Sequence, residues 1–459
     1  RAPCRRPAQV NSSGVNSSGF KSFRFKGEQH VADRYEIRRF RAADKGAPGY
    51  AQGTDWIQAV GFGFHDTRRN DDFVDKIMAM YRRDDRELTG VYQTGQVAPH
   101  SLEAGIPVAT FGTLRKDLNV GYGRQLRTHM VTAVTVRGTH RRQGLLRRMM
   151  TEDLAAAKAD GLAMAALTAS EGSIYGRFGY GVATFERSVK VDTGPRFRLR
   201  HQPLGSVENA DRKVLLELAP EVFGRVHRHT PGSIVRQDAY RQNVSGTLGR
   251  DGSEDEAIRC ALHYDAAGTV DGYVSYKFAG WGTKPYTMEI VDLVAATDAA
   301  YLELWQFLGS IDLVDRISWQ DAPADDPLTW ALEDPRCIES SDHRDMLWLR
   351  ILDTATALAA RHYSADGSLV LEVRDALGFA GGTFILGVSG GEANVTAASA
   401  DAEPDLSLDI ADLGSVYLGA VCPVTLKAAG RITEHAPGAA LKARLMFAVE
   451  RSPHCLTHF

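Results

Sequence analysis

Apolar and polar residues recur along this chain with two periods, and each change of period marks an element. Residues 35–40 alternate as a half-buried strand does. Between 55 and 83 the apolar positions Trp56, Val60, Phe64, Phe73, Ile77 and Met80 fall at helical spacing. Strand-like runs follow at 88–93, 108–114 and 130–136, with Gly, Pro and Asn between them as turn signals. Over 145–160, Leu145, Leu146, Met149, Met150 and Leu154 share one helical face, and Gly161 supplies the stop. The apolar run 162–169 and the stretch 182–191 read as strands, and Thr193-Gly194-Pro195 closes the unit. Strands interrupted by one well-formed helix predict a mixed α/β domain.

The same reading continues through two further units. From 197 to 345, helices are predicted at 212–227 and 299–308, and strands at 258–264, 272–278 and 288–295. From 346 onward, a strand at 347–352 and a helix at 355–361 precede extended pieces at 368–373 and 382–387. Helices close the unit at 410–417, 425–429 and 438–447.

Composition narrows the class. With 459 residues, 44% of them hydrophobic, the chain has material for several cores. A net charge of −3 argues against a nucleic-acid partner. No apolar run approaches the ~20 residues of a membrane helix, so no membrane partner is expected. The five cysteines (Cys4, Cys260, Cys337, Cys422, Cys455) are scattered, which indicates neither a disulfide framework nor a zinc site. Residues 1–33, basic at the start and carrying Asn-Ser-Ser-Gly twice, read as a flexible extension or an expression remnant. They lack the apolar segment of a secretory signal, so a cytoplasmic location is expected, with non-classical secretion left open.

The segment with most chemical content is Val134-Thr-Val-Arg-Gly-Thr-His-Arg-Arg-Gln-Gly-Leu-Leu-Arg147. A strand ends at Val136, a basic turn follows, and Gly144 opens the helix. The first turn of a helix offers unpaired N–H groups and partial positive charge, which suits a pyrophosphate. Arg142 and Arg147 add charge beside it. An ordinary strand–helix connection with solvated arginines fits the spacing equally well.

Arg141-Arg-Gln-Gly-Leu-Leu146 resembles the R-x-x-G-x-[GA] acetyl-CoA loop of the GNAT acetyltransferase superfamily, with Leu146 in place of the usual Gly or Ala. Ser170-Glu-Gly-Ser-Ile-Tyr-Gly-Arg-Phe-Gly-Tyr-Gly181 resembles a signature of the Eis ("enhanced intracellular survival") family of actinobacterial N-acetyltransferases. Thr139–Arg147 is similar to that family's CoA loop, and Leu347-Trp-Leu-Arg-Ile351 and Leu413-Gly-Ser-Val-Tyr-Leu-Gly419 resemble its C-terminal landmarks. The resemblance implies an α/β (α+β) chain of three parts. These are a GNAT domain over 34–195, a second GNAT-like domain without a CoA loop over 196–345, and a sterol-carrier-protein-like domain over 346–459. It also implies a homohexamer.

For the chemistry, the resemblance implies acetyl-CoA as co-substrate, held by Val134, Thr135, Val136, Arg142, Gln143, Gly144, Leu145, Leu146, Arg147, Ser170 and Glu171. It assigns Tyr175 as general acid and the α-carboxylate of Phe459 as general base, with an N–H of 134–136 facing the oxyanion. Thr168 stands where relatives have a histidine lining the pocket. The implied acceptors are aminoglycoside amines at several positions, by direct attack of the amine on the thioester, and also protein lysines. A polycationic acceptor calls for acidic groups, and Asp66 is the candidate among Asp66, Asp71, Asp72 and Asp75. His454, Cys455 and His458 crowd the last residues, but no further ligand lies near in sequence and no metal is expected. His458 is placed to tune the terminal carboxylate. Rival readings are an acetyltransferase for polyamines or protein lysines, and a non-catalytic CoA- or lipid-binding module.

Overall fold

The structure, a computed structural model, describes residues 34–249, 251–282, 284–399 and 401–459; the N-terminal stretch discussed above, Asp33 and before, lies outside the described residues. The first part runs β1 (Tyr35–Arg41), α1 (Tyr50–Gly63), α2 (Asp71–Arg83), β2 (Glu87–Gln93), β3 (Ala109–Asn119), β4 (Gln125–Val136), α3 (Leu145–Ala159), β5 (Met164–Thr168), α4 (Gly172–Tyr175), β6 (Gly181–Val182) and β7 (Phe185–Asp192). There follow β8 (Ser206–Ala210), α5 (Leu215–His229), α6 (Ala239–Val244), β9 (Arg259–Tyr264), β10 (Val270–Phe278), β11 (Thr287–Ala295), α7 (Asp298–Gly309), β12 (Arg316–Pro323), α8 (Leu328–Ala331) and β13 (Ile338–Asp345). The last part is β14 (Leu347–Ile351), α9 (Thr354–Ala360), β15 (Gly367–Arg374), β16 (Gly382–Ser389), β17 (Glu392–Ala397), β18 (Leu406–Asp409), α10 (Ile410–Val416), α11 (Pro423–Ala428), β19 (Ile432–Glu434) and α12 (Ala439–Phe447).

These strands form three sheets, ordered β1-β2-β3-β4-β5-β14-β6, β13-β7-β12-β11-β10-β9-β8 and β17-β16-β15-β18-β19. The mixed α/β class expected from the periodicity is what the chain adopts. Three elements differ from the sequence reading. The helical spacing over 55–83 belongs to two helices, because Asn70 caps α2 by accepting from the N–H of Phe73 (2.8 Å) and Asp71 and Asp72 favour its N-terminus. The runs 108–114 and 130–136 are the ends of one long hairpin, paired as far as Asn119 and Gln125. Its outer half is polar and hid from the apolar pattern. The stretch 182–191 is two strands in different sheets, broken at Ala183-Thr184, whose N–H groups both turn to the carbonyl of Leu347.

That break is half of a crossing. The segment Gly181–Asp192 passes from the first sheet to the second, and 338–351 passes back beside it, so β7 pairs with β13 and β6 with β14. Two chain segments therefore stitch the sheets together, and the cavity described below lies at the stitch. The third unit docks here too. A Cβ on Gly181 would stand 1.8 Å from the carbonyl oxygen of Ala411, and one on Gly414 would stand 2.7 Å from that of Leu349. Only glycine allows α10 to approach β6 and β14 so closely, which explains why two motifs so distant in sequence each carry one.

The helix α3 covers the first sheet. Leu145, Met149, Met150 and Leu154 join Val131, Leu167, Tyr175 and Trp348 in one core cluster. Inside it, His129 of β4 meets the Asp153 carboxylate of α3 at 2.7 Å, so a polar contact fixes the helix against the strand.

Candidate active site

The parallel strands β4 and β5 pair only at His129–Ala165, Met130–Ala166 and Val131–Leu167. Past Val131 they diverge. The divergence coincides with a bulge in β4, where two residues, Ala133 (φ 51°) and Val134, stand opposite one residue of β3. The edge of β4 over 132–136 is thus free of β5 and can offer N–H and C=O groups to a ligand.

Beyond this edge lies the loop singled out by sequence. Arg142 (φ 62°) and Gly144 (φ 79°) both take the left-handed conformation, and Gly144 is the N-cap of α3 with no side-chain cap. No atom lies within 4 Å of where a Cβ on Gly144 would sit, so the approach to the helix start is open. Arg141, Arg142 and Arg147 are exposed, and none has an ion-pair partner among the described residues. Uncapped N–H groups, open space and three unanswered cations form an anion site and fit the phosphates of a nucleotide. Gln143 accepts from the Tyr35 hydroxyl at 2.8 Å, which ties the loop to β1. Leu145 is buried, and Leu146, the departure from the motif, packs against the same core from its edge.

The gap between the diverging strands opens into a cavity of about 540 Å³. Val134, Thr168, Ser170, Tyr175 and Phe459 all line it. Tyr175, at the end of α4, is 6% exposed, its ring edge-on to Tyr180 at 6.2 Å. Burial, reinforced by the Glu171 carboxylate, raises its phenol above the ordinary value, so it enters the cavity protonated. Its hydroxyl has no hydrogen-bond partner among the described residues.

Phe459 reaches the cavity along a pinned tail. The His454 N–H donates to Pro231 (2.9 Å), Thr457 Oγ1 to the Ile234 carbonyl (2.8 Å), and Arg236 to the Leu456 carbonyl (3.3 Å). Tyr240 bonds both the N–H and the carbonyl of His458. Arg236 is itself clamped by Asp292 through two bonds of 2.7 Å and stacks on Phe223 and Tyr240. Pro453, Cys455 and Thr457 are buried in alternation. The last bond is to β5: Thr168 Oγ1 donates to the main-chain oxygen of Phe459 at 2.5 Å.

The charged wall comes from the stitch. Glu186, 1% exposed, accepts from Arg344 at 2.6 Å. His458 turns its Nε2 toward Glu186 (3.5 Å) and Asp321 (3.4 Å). Burial works against a charged His458, but the bonds to Asp321 and Glu186 outweigh it and carry its pKa up to about 9. Its imidazolium is thus spent on those two acids. Among the described residues Glu186, Asp321 and His458 form the group whose spacing could hold a metal, but Arg344 already answers both carboxylates. His454 and Cys455 stand outside that group. Burial pushes His454 down to about 4.

Asp66 has no place in this cavity. It pairs with Arg69 at 2.9 Å and lines a hollow of about 140 Å³ with Thr135 and Arg137, on the opposite face of β4 from Val134. Sequence reasoning missed Glu186, Arg344, Asp345 and Arg86, which do line the cavity, and Arg236 and Tyr240, which hold the tail. No local pattern marks any of them.

Family models agree with this geometry. Two models described as acetyltransferase (GNAT) domains match residues 51–183 and 232–351, and one described as a sterol carrier protein domain matches 354–456. An uncharacterized N-acetyltransferase of Streptomyces griseus is 38% identical over 365 residues, 77% of this chain and 87% of that protein. The N-acetyltransferase Eis of Mycobacterium tuberculosis is 35% identical over 318 residues, 67% of this chain and 74% of that protein. The crystal structure of Eis1 from Mycobacterium abscessus superposes with a TM-score of 0.75 at 26% identity, covering 92% of this chain and all of that one. With the loop, the diverging strands and these relatives in agreement, the chain belongs to the Eis family of GNAT N-acetyltransferases.

Proposed function

We propose that the chain transfers an acetyl group from acetyl-CoA to a primary amine by direct attack, with Tyr175 as general acid and the α-carboxylate of Phe459 as general base. The observation that carries this is the entry of Tyr175 and Phe459 into one cavity, beside the freed edge of β4 that leads to the Gly144 loop. Acetyl-CoA supplies the activated acyl group as a thioester. An amine arrives mainly protonated, with a pKa near 10.4, and the Phe459 carboxylate takes the proton that must leave. A free N–H of residues 134–136 faces the oxyanion that forms as nitrogen bonds to the carbonyl carbon. Tyr175 delivers a proton to the departing sulfur as the C–S bond breaks.

Aminoglycoside amines, acetylated at several positions, are the acceptors that likeness to Eis proteins brings forward, with protein lysines and polyamines next. A cavity of about 540 Å³ gives such a ring room to enter. The same likeness suggests a homohexamer, and a cytoplasmic site of action is the expectation that goes with it; light scattering and cell fractionation test these. The decisive experiment is thiol release from acetyl-CoA with kanamycin, spermine, a lysine peptide and simple amines. Release with any of them is expected. None with every acceptor, in protein that binds CoA, would leave a CoA- or lipid-binding module.

A further inference from the structure

One cation of the cavity has no ion-pair partner among the described residues. Arg86, between α2 and β2, is 9% exposed and lines the cavity. Its guanidinium lies on the ring of Tyr81, 4.2 Å from the centroid, and Tyr81 lines the cavity as well. The Arg86 Nε is buried with no hydrogen-bond partner. Among the described residues no carboxylate comes within ion-pair distance of it, and the group it stacks on is the Tyr81 ring.

The other cations in the wall are matched. Arg344 and His458 share Glu186 and Asp321. Asp345 accepts from the Trp348 indole at 2.5 Å. A guanidinium cannot escape burial by losing its proton, and an unpaired buried charge is costly. A cation–π contact recovers only part of that cost. The phosphates of the co-substrate already have Arg141, Arg142 and Arg147 at the α3 N-terminus. The chain's own candidates, Asp345 and the Phe459 carboxylate, lie beyond ion-pair distance of Arg86, which leaves it open to a bound acceptor.

We propose that Arg86 docks a carboxylate carried by the acceptor, so that the acceptor is an amine with a carboxylate on an apolar body. The planar fork of the guanidinium suits a carboxylate. Val60, Phe64 and Met346 supply apolar wall for the body. This rests on the amine-acetylation reading and adds a carboxylate to the amine that the acceptor must carry.

Calorimetric titration of 3-phenylpropionate, with 3-phenylpropanol as the uncharged control, tests the docking site without turnover. The native protein should bind the carboxylate at least ~10-fold more tightly, the scale of a charge-assisted bond. Arg86→Gln should bind both alike, with acetyl-CoA affinity unchanged as the check on folding. If Arg86→Gln fails that check, Arg86→Lys replaces it and should keep the charge but lose several-fold of the preference. A native protein that does not prefer the carboxylate, or a variant that keeps the full preference, overturns the proposal. Thiol release with phenylalanine against phenethylamine then reads the consequence: the native enzyme should favour phenylalanine and Arg86→Gln should not. Absence of thiol release with every amine counts against acetyl transfer, whereas the titration alone decides on Arg86.

Discussion

Thr168 grips Phe459 from both sides: its hydroxyl donates to the main-chain oxygen at 2.5 Å and accepts from the N–H at 3.4 Å, across 291 positions of sequence. Thr168 is the last residue of β5, the strand whose divergence from β4 makes the cavity. It is also where this chain departs from the histidine that its resemblance to the family led us to expect. The substitution gives the hydroxyl a defined task, orienting the proposed base. A carboxylate that takes a proton works only within hydrogen-bond reach of it. Thr168→Val keeps the shape of the side chain and removes both bonds. We expect kcat to fall about 10- to 100-fold, within the range of a misplaced base, with KM for acetyl-CoA unchanged and Thr168→Ser restoring most of the rate. Steady-state kinetics on the three proteins decide this; an unaltered kcat in Thr168→Val removes Thr168 from the mechanism.

Tyr175→Phe tests the acid with the least structural disturbance. The ring stays against Tyr180, and the hydroxyl that is lost has no partner among the described residues to strand. General-acid loss predicts a fall in kcat of at least ~10²-fold. Acetyl-CoA binding and the melting temperature should not change, because the loop at Gly144 and the core are untouched. A rate near normal would mean that the thiolate leaves without this proton.

Adding residues after Phe459 converts the proposed carboxylate into a neutral peptide carbonyl and forces bulk into the cavity. Activity should vanish while the melting temperature stays within a degree or two, since the tail is pinned from His454 to His458 by bonds an extension does not touch. A tail cleavable at Phe459 gives the control: activity should return on cleavage. Full activity with the tail attached would exclude a terminal base.

Why some of this was legible in sequence and some was not follows from how each feature is encoded. The α3 helix is a continuous amphipathic run, and its glycine and arginines lie close together in sequence, so a loop suited to an anion could be read directly. The glycine-rich motif around Tyr175 was equally local, though its reason was not: Gly181 is there because Ala411 and Ser415 of another unit press on it. The charged wall joins residues 186, 321, 344 and 458, which no window of sequence contains. Asp66, singled out because it follows Phe64 and His65, pairs with Arg69 and lines a separate hollow, a placement set by the break between α1 and α2 that no local pattern marks. Strands whose two ends serve different sheets, such as the stretch 182–191, carry no signal for the crossing, because both halves are equally strand-like.

Gly144→Asp puts a carboxylate among three unpaired arginines at the α3 N-terminus, where the phosphates of acetyl-CoA are proposed to sit. The open space beyond Gly144 spares the fold a clash, so strain from its φ of 79° is the main structural cost. Acetyl-CoA affinity should drop at least ~10-fold through charge competition with the phosphates. Calorimetry measures this. Unchanged affinity would place the phosphates elsewhere.

The two histidines of the tail should make its anchoring depend on pH in opposite senses. His458 is raised from its ordinary value to about 9 by Asp321 and Glu186. Its contribution is fully present below ~6.5, the unfolded value, and is lost as pH climbs through about 9. His454 is lowered by burial to about 4, with both ring nitrogens unpartnered. Its neutral form is accommodated above ~6.5, and stability falls as pH drops from there toward 4, because the unfolded chain takes up a proton that the folded one resists. The tail should therefore be held best near pH 6.5. Melting temperatures of the native protein and of His458→Gln, followed from pH 6 to 10, check the alkaline limb. The native protein should melt higher at pH 6, and the gap should close by pH 10. A gap that is constant across this range would mean that the ring of His458 carries no charge into its contact with Glu186 and Asp321.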